Sequence, residues 1–436
     1  MRDRFGTGAR RAAAALACAV VLECLTPGAC HARALAPAEV EARAPRSVDR
    51  LRATIDVLAS DALRGRERAT PGSAAAQDFL VGELGSFAPG LDRGRAGGDA
   101  YRQTFGTSDT SGTNLLARIV GRERPDEYVL IGAHYDHLGT RSGRDGRCSI
   151  ANPPGGKVCP GATDNAAGVA ALLEIGRAVH ALPVPPRRSI VLALWDGEED
   201  GLLGSLHYVD HPVVPLGQTV AYVNFDILGA DLLPSLAQMS FAVGAETGGA
   251  RLEGAVRDAA RGEAIDLQLM STAFGQLRSD STSFLTRLVP AVFFSDATGG
   301  CYHTIGDGPH VVDLPKLVVE TRIAYRVAVA LAEAADAPAF SLPGLPPATH
   351  SDAVSLARVL DRVQSDRGSF RAENRDALQR LRAQVDAIVK QGAPSFGLLD
   401  GAVLLAAAAQ LMELTSGAPC TASLPPGPGD AARLIR

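Results

Sequence analysis

Apolar residues at Val48, Leu51, Ile55 and Leu58 recur at helical spacing, so the chain is predicted to open its folded part with an amphipathic helix. A turn-rich stretch, SDALRGRERATPG, follows, and a second helix is predicted over about 73–86. From residue 113 the pattern changes. VLIGAH (129–134), SIVLALW (189–195), VAYVNF (220–225) and PAVFF (290–294) are short, continuously apolar runs of the kind buried on both faces of a sheet. Between and after them, 166–179, 250–262 and 314–334 carry helical patterns. Strands alternating with helices predict an α/β fold, a three-layer αβα sandwich around a central, mostly parallel mixed sheet.

A Pro-rich stretch, APAFSLPGLPPATH (337–350), interrupts this alternation. Beyond it, 351–391 reads as charged, amphipathic helix and 401–415 as an almost wholly apolar one, together a C-terminal helical appendage. A helix apolar on all sides has to be covered, so a core helix is expected there. The expected organisation is a signal segment (1–34), a helical lead-in (35–110), an α/β core (111–338), a linker (339–350) and a helical tail (351–436).

Composition narrows the class. The 436 residues are 46% hydrophobic and 21% charged, with 43 Lys plus Arg against 48 Asp plus Glu, a formal net charge of −5. That is an ordinary globular balance and lacks the basic excess a nucleic-acid binder needs, so no nucleic-acid partner is expected. At the N-terminus, Arg2, Arg4, Arg10 and Arg11 precede an apolar stretch over 12–25 and the small residues of Ala32-Arg33-Ala34. This reads as a secretory signal cleaved near Ala34, giving a secreted or periplasmic protein without a stable membrane span. A lipoprotein anchor at Cys18, Cys24 or Cys30 is disfavoured, because none follows a Leu-small-small run. In an oxidising compartment Cys148 and Cys159, bracketing a Gly- and Pro-rich loop, are expected to form a local disulfide. Cys301 and Cys420 have no assignable partner in the sequence.

Residue types that ligate metals cluster where the predicted strands end, which is where open α/β sheets place their sites. They are His134-Tyr135-Asp136, Asp164 within GATDNAAG, Glu198-Glu199 after Trp195-Asp196-Gly197, Asp226 after Asn224-Phe225, and His303 in Cys301-Tyr302-His303-Thr304. Taken singly, each has a plain explanation as a solvated His, a helix N-cap or a polar turn. Together they supply two His and three acids as ligand candidates and one spare acid, with Asp136 placed to hold the second ring nitrogen of His134. Zn²⁺ suits mixed His and carboxylate ligands better than Mg²⁺ or Ca²⁺, and the unliganded acid would then serve as general base.

The ordered set HYDHLG (134–139), GATDNAAG (161–168), DGEEDGLLGS (196–205), NFDILG (224–229) and YHT (302–304) resembles the co-catalytic di-zinc aminopeptidases. That family also contains glutamate carboxypeptidases and glutaminyl cyclases. The lead-in LASDALRGRERATPGSAAAQDFL (58–80) is similar to its secreted bacterial members, so the resemblance covers roughly 48–338. It implies two zinc ions bridged by Asp164, one shared by His134 and Asp226, the other by His303 and Glu199. It further implies Glu198 as general base, Asp136 orienting His134, and a cis bond between Asp164 and Asn165. The implied activity is removal of N-terminal residues from peptides. A single-zinc glutaminyl cyclase, a carboxypeptidase for acidic dipeptides and a non-catalytic binding protein are the alternatives. Two departures stand out: Ser281 and Ser283 in RSDSTSF replace the family's usual His and Pro, and Cys301 stands where Asp is common.

Overall fold

A computed structural model describes residues 33–416 and 420, except 93, 108–109, 144–145, 151–156, 342–343 and 345–346. The signal expected over 1–34 lies, but for its last two residues, outside the described part. From Leu35 onward the chain forms one unit.

Its centre is an eight-stranded mixed sheet in the order β1-β2-β4-β3-β5-β8-β6-β7. The strands are β1 (Arg102–Phe105), β2 (Gly112–Ile119), β3 (Arg124–His134), β4 (Arg188–Trp195), β5 (Thr219–Phe225), β6 (Met239–Val243), β7 (Asp266–Met270) and β8 (Ala291–Ser295). The four runs singled out by their continuous apolarity are β3, β4, β5 and β8. They form the parallel centre of the sheet, and every residue of β4 is buried. β2 is antiparallel to β4 and β6 is antiparallel to β8, which makes the sheet mixed.

Helices cover both faces. On one side lie α1 (Val48–Leu58), α2 (Pro71–Gly85), α3 (Ala167–His180), α5 (Gly249–Ala260) and α7 (Leu314–Glu333). Leu51, Leu80, Leu172, Leu252 and Leu317 from these helices share the main core with Val129, Leu192 and Val223 of the sheet. On the other side, Tyr208 of α4 (Leu203–Asp210) and Phe284 of α6 (Ser281–Leu285) pack on Leu130, Trp195 and Tyr222. This is the expected three-layer arrangement.

The tail departs from expectation in two respects. The predicted helix over 351–391 is two helices, α8 (His350–Val363) and α9 (Ala372–Gln391), separated by a 3₁₀ turn at Gln364–Ser369 that contains Gly368. The apolar helix, α10 (Leu398–Ser416), is covered on one face only by the described residues. Leu404, Ala407 and Leu411 are buried with α8 and α9, whereas Leu399 is 82% exposed and Leu398 59%. Its span from Leu398 to Thr415 is long and apolar enough to cross a membrane by length and composition, with 28% of it buried.

Anchoring of the tail to the sheet is polar as well as apolar. Thr349 and Asp352 form a capping box at the start of α8. The Asp352 carboxylate also accepts from Ser271 N at 2.7 Å and Ser271 Oγ at 2.6 Å, just beyond β7. Arg358 and Arg362 both reach Asp266 on β7.

Candidate metal centre

Parallel register brings the ligand-bearing motifs to one edge of the sheet. His134 pairs with Trp195, and Ala133 pairs with Phe225, so β3, β4 and β5 end level with one another. His134 closes β3, Glu198 and Glu199 follow β4, and Asp226 follows β5. Asp164 reaches the same point from the sharply kinked turn before α3, where Asp164-Asn165 is cis. Gly161 starts that turn at φ +62°, and a Cβ there would lie 2.4 Å from Asp164 O. Only a residue without a side chain fits.

All seven residues expected at the site converge. His134 Nε2 lies 3.3 Å from Asp164 Oδ1 and 3.3 Å from Asp226 Oδ1. His303 Nε2 lies 3.2 Å from Asp164 Oδ2 and 3.2 Å from Glu199 Oε2. Asp164 thus presents one oxygen to each of two His–carboxylate sets. Ligand atoms bound at ~2.0–2.1 Å to one tetrahedral zinc are ~3.3 Å apart, and the His–carboxylate distances in both sets match that spacing. His134 Nδ1 is 3.2 Å from the Asp136 carbonyl oxygen; donating there leaves Nε2 free to ligate.

Three findings amend the expected picture. Asp136 orients His134 through its backbone carbonyl. Its carboxylate, 3.7 Å from Nδ1, instead accepts from Glu198 N at 3.1 Å and Glu199 N at 3.3 Å, fixing the turn that carries both glutamates. A third histidine, His137, is also present: its Nδ1 is 2.7 Å from Glu199 Oε1 and 3.9 Å from Asp164 Oδ2. Its ligand-type atoms share a 4.8 Å sphere with those of Asp164 and Glu199. It stands in HYDHLG, three residues after His134, and that closeness was the available signal. Supporting residues were hidden from the sequence altogether. Asp307 accepts from Thr163 N, Thr163 Oγ1 and Asp164 N, and the buried Arg66 donates to carbonyls on both ligand loops.

The electrostatics separate the acids. Burial pushes Asp164 up, but its contacts to His134 and His303 outweigh this and hold it well below the usual carboxylate range. Burial and Asp164 oppose ionisation of Glu199, yet His137 and His303 bring it down to about 2. Burial, with Asp226 and Glu199 nearby, carries Glu198 well above its ordinary value despite His134. Burial raises Asp226 as well, against the pull of His134, so Glu198 stands apart from the low-lying Asp164 and Glu199 in proton affinity, as a general acid–base requires. Beside the centre, an apolar cavity of about 150 Å³ opens from Asp164, Glu198, Asp226 and His303.

Comparison with known proteins places the sequence and the fold. Residues 114–328 match the profile of Peptidase family M28. The chain is 29% identical over 177 residues to leupeptin-inactivating enzyme 1 of Streptomyces exfoliatus, covering 40% of this chain and 34% of that protein. It is 37% identical over 117 residues to the probable glutamate carboxypeptidase VP8 of Zea mays, covering 26% and 14% respectively. The matched part is thus about a third or less of these curated relatives. Among solved structures, the Legionella pneumophila LapA aminopeptidase shares the fold with a TM-score of 0.53 at 20% identity, over 69% of this chain and 75% of that one.

Proposed function

Residues 114–328 of this chain belong to peptidase family M28, and on that basis we propose that it is a secreted or periplasmic zinc exopeptidase that removes N-terminal residues from peptides. The observation that carries this reading is the orientation of Asp164, whose two oxygens face two separate His–carboxylate sets. One zinc would be held by His134, Asp164 and Asp226, and the other by His303, Asp164 and Glu199. When bound, such a pair lowers the pKa of water and polarises a carbonyl. Asp164, ionised and rigidly held by Asp307, keeps the two sets in register. Glu198, which is not needed as a ligand, accepts the proton of the attacking water. Its raised proton affinity lets it hold that proton and then deliver it to the leaving amine. Asp136 holds the Glu198 backbone during both transfers.

Aminopeptidase action is preferred over cleavage of acidic dipeptides because the adjoining cavity is apolar. Among the described residues lining it, Arg278 is the one permanent cation, and it is engaged with Tyr302. Two disulfides, Cys148–Cys159 and Cys301–Cys420, support the assignment to an oxidising compartment. The test is a zinc count combined with a panel of peptides bearing free or blocked amino termini. Two zinc ions per chain and cleavage confined to free-amine peptides is the expected outcome. One zinc with cyclisation of an N-terminal Gln, or equal cleavage of blocked peptides, would overturn the proposal.

A further inference from the structure

The cavity beside the centre has walls from two parts of the chain. One wall comes from the sheet side: Phe241 on β6, Phe293 on β8, and Phe274 in the turn after β7. The other comes from the tail: Leu356 on α8, and Leu411 and Met412 on α10. These tail residues lie beyond residue 328, where the family match stops. We propose that the C-terminal tail is a specificity element whose helices close the pocket for the side chain of the substrate's first residue and favour a large apolar one, such as Leu, Met or Phe.

Size and chemistry support this. At about 150 Å³ the cavity matches the volume of an apolar protein cavity that accepts benzene, so a phenyl or isobutyl group fills it. Away from the carboxylates of the centre, Phe241, Phe274, Phe293, Leu356, Leu411 and Met412 offer a charged side chain no hydrogen-bond partner to replace its hydration. The tail is also held against the site at three points. Gln276 Nε2 donates to Met412 Sδ at 3.6 Å. Asp352 binds the Ser271 turn. Cys420, four residues past the end of α10, is disulfide-bonded to Cys301, two residues before His303. The wall is therefore tied to the same loop that carries a candidate zinc ligand.

The inference rests on the site reading above, and the test separates the two. Binding of L-phenylalanine and L-alanine hydroxamates to the zinc-loaded full chain is measured by calorimetry, with zinc content and Trp195 fluorescence as folding controls. Phe is expected to bind more tightly than Ala by on the order of 100-fold. Met412→Trp, which fills the pocket, should reduce that ratio at least ~10-fold with zinc content preserved. Should that variant not fold, Met412→Ala enlarges the same pocket, and a 2-naphthylalanine hydroxamate should then gain ~10-fold relative to Phe. Equal binding of Phe and Ala by the unaltered chain, or an unchanged preference in the folded variant, would overturn the proposal. Failure of the peptidase reading looks different: hydroxamate selectivity would persist while Leu-peptides stay uncleaved.

Discussion

Replacing Arg66 should damage the metal centre without touching a ligand. Its guanidinium is fully buried and donates to four carbonyls: Leu58, Tyr135 at 2.8 Å, Pro160 at 2.7 Å and Gly161 at 2.9 Å. Tyr135 follows the candidate ligand His134, and Gly161 begins the turn that carries Asp164. One side chain therefore clamps the two loops on which Asp164 and His134 meet. The clamp itself is tightly specified, since Arg64 and Arg66 flank Gly65 with all three at positive φ. A Cβ on Gly65 would lie 2.4 Å from Gly139 O.

Arg66→Met leaves four buried carbonyls without donors, at ~1–3 kcal/mol each. Part of that is recovered, because a buried cation no longer has to be desolvated. Burial already brings Arg66 down to about 10, against the pull of Asp136, Asp164, Asp307 and Glu199. The net loss expected for removing one partner of such a buried charged arrangement is ~3–5 kcal/mol. Lys keeps the charge but has three donors for four carbonyls, so Arg66→Lys should lose only ~1–2 kcal/mol. Urea unfolding can be followed by Trp195, the only tryptophan, which is buried at the end of β4 beside the centre. Zinc affinity from chelator competition should fall ~10–100-fold in Arg66→Met, as for other residues that orient ligands. An Arg66→Met chain within ~0.5 kcal/mol of the parent and with undiminished zinc affinity would refute the clamp.

Three further outcomes are expected. Glu198→Gln should lower kcat by ~10²–10⁴ while both zinc ions stay bound, and a smaller loss would dismiss Glu198 as the base. His303→Ala should leave one zinc per chain and His137→Ala two, because His303 Nε2 is evenly 3.2 Å from both carboxylates while His137 Nδ1 is unevenly placed at 2.7 and 3.9 Å; a metal count in the reverse order would reassign the ligand. Burial raises Asp231 to about 7, above its unfolded value of ~3.9, so its contribution to stability is complete below ~4 and is lost as pH rises through about 7. Asp231→Asn should accordingly flatten the pH dependence of the urea midpoint over that interval, and an identical profile would remove Asp231 as its source.

The sheet centre and the candidate site were legible in the sequence for the same reason. A parallel strand buried on both faces must be continuously apolar, so β3, β4, β5 and β8 announced themselves and the acids at their ends stood out as exceptions. β6 and β7 lie toward one end of the sheet; β7 is only partly buried, and β6 is short and interrupted by Ser240, so neither left such a run. Arg66 and Asp307 escaped notice because their roles depend on backbone carbonyls and amides of remote segments, to which no side-chain pattern corresponds. His137 was in view but unassigned, since nothing local tells which of two nearby histidines turns toward Glu199. For α10, apolar composition suggested cover on all sides. The described residues supply packing partners for one face, and composition carries no record of which.

The buried acids around the centre sort themselves by what they face. Asp136 and Asp307 accept backbone N–H groups from Glu198, Glu199, Thr163 and Asp164, so they serve as fixed supports for the turns that carry the ligand candidates. Arg66 adds a positive field behind them, but its donors are committed to carbonyls and cannot reach the remaining carboxylates. Asp164, Glu199 and Asp226 face chiefly one another and imidazole nitrogens. Burying three such groups together is costly unless protons or divalent cations intervene. Protonated histidines can meet that need: Asp164 and Glu199 raise His303 to about 10 against the cost of its burial. Two zinc ions meet it better, because each replaces a proton and also offers further coordination to a substrate. The division between amide-bound supports and imidazole-facing ligands is thus a criterion independent of motif resemblance, and it selects the same carboxylates.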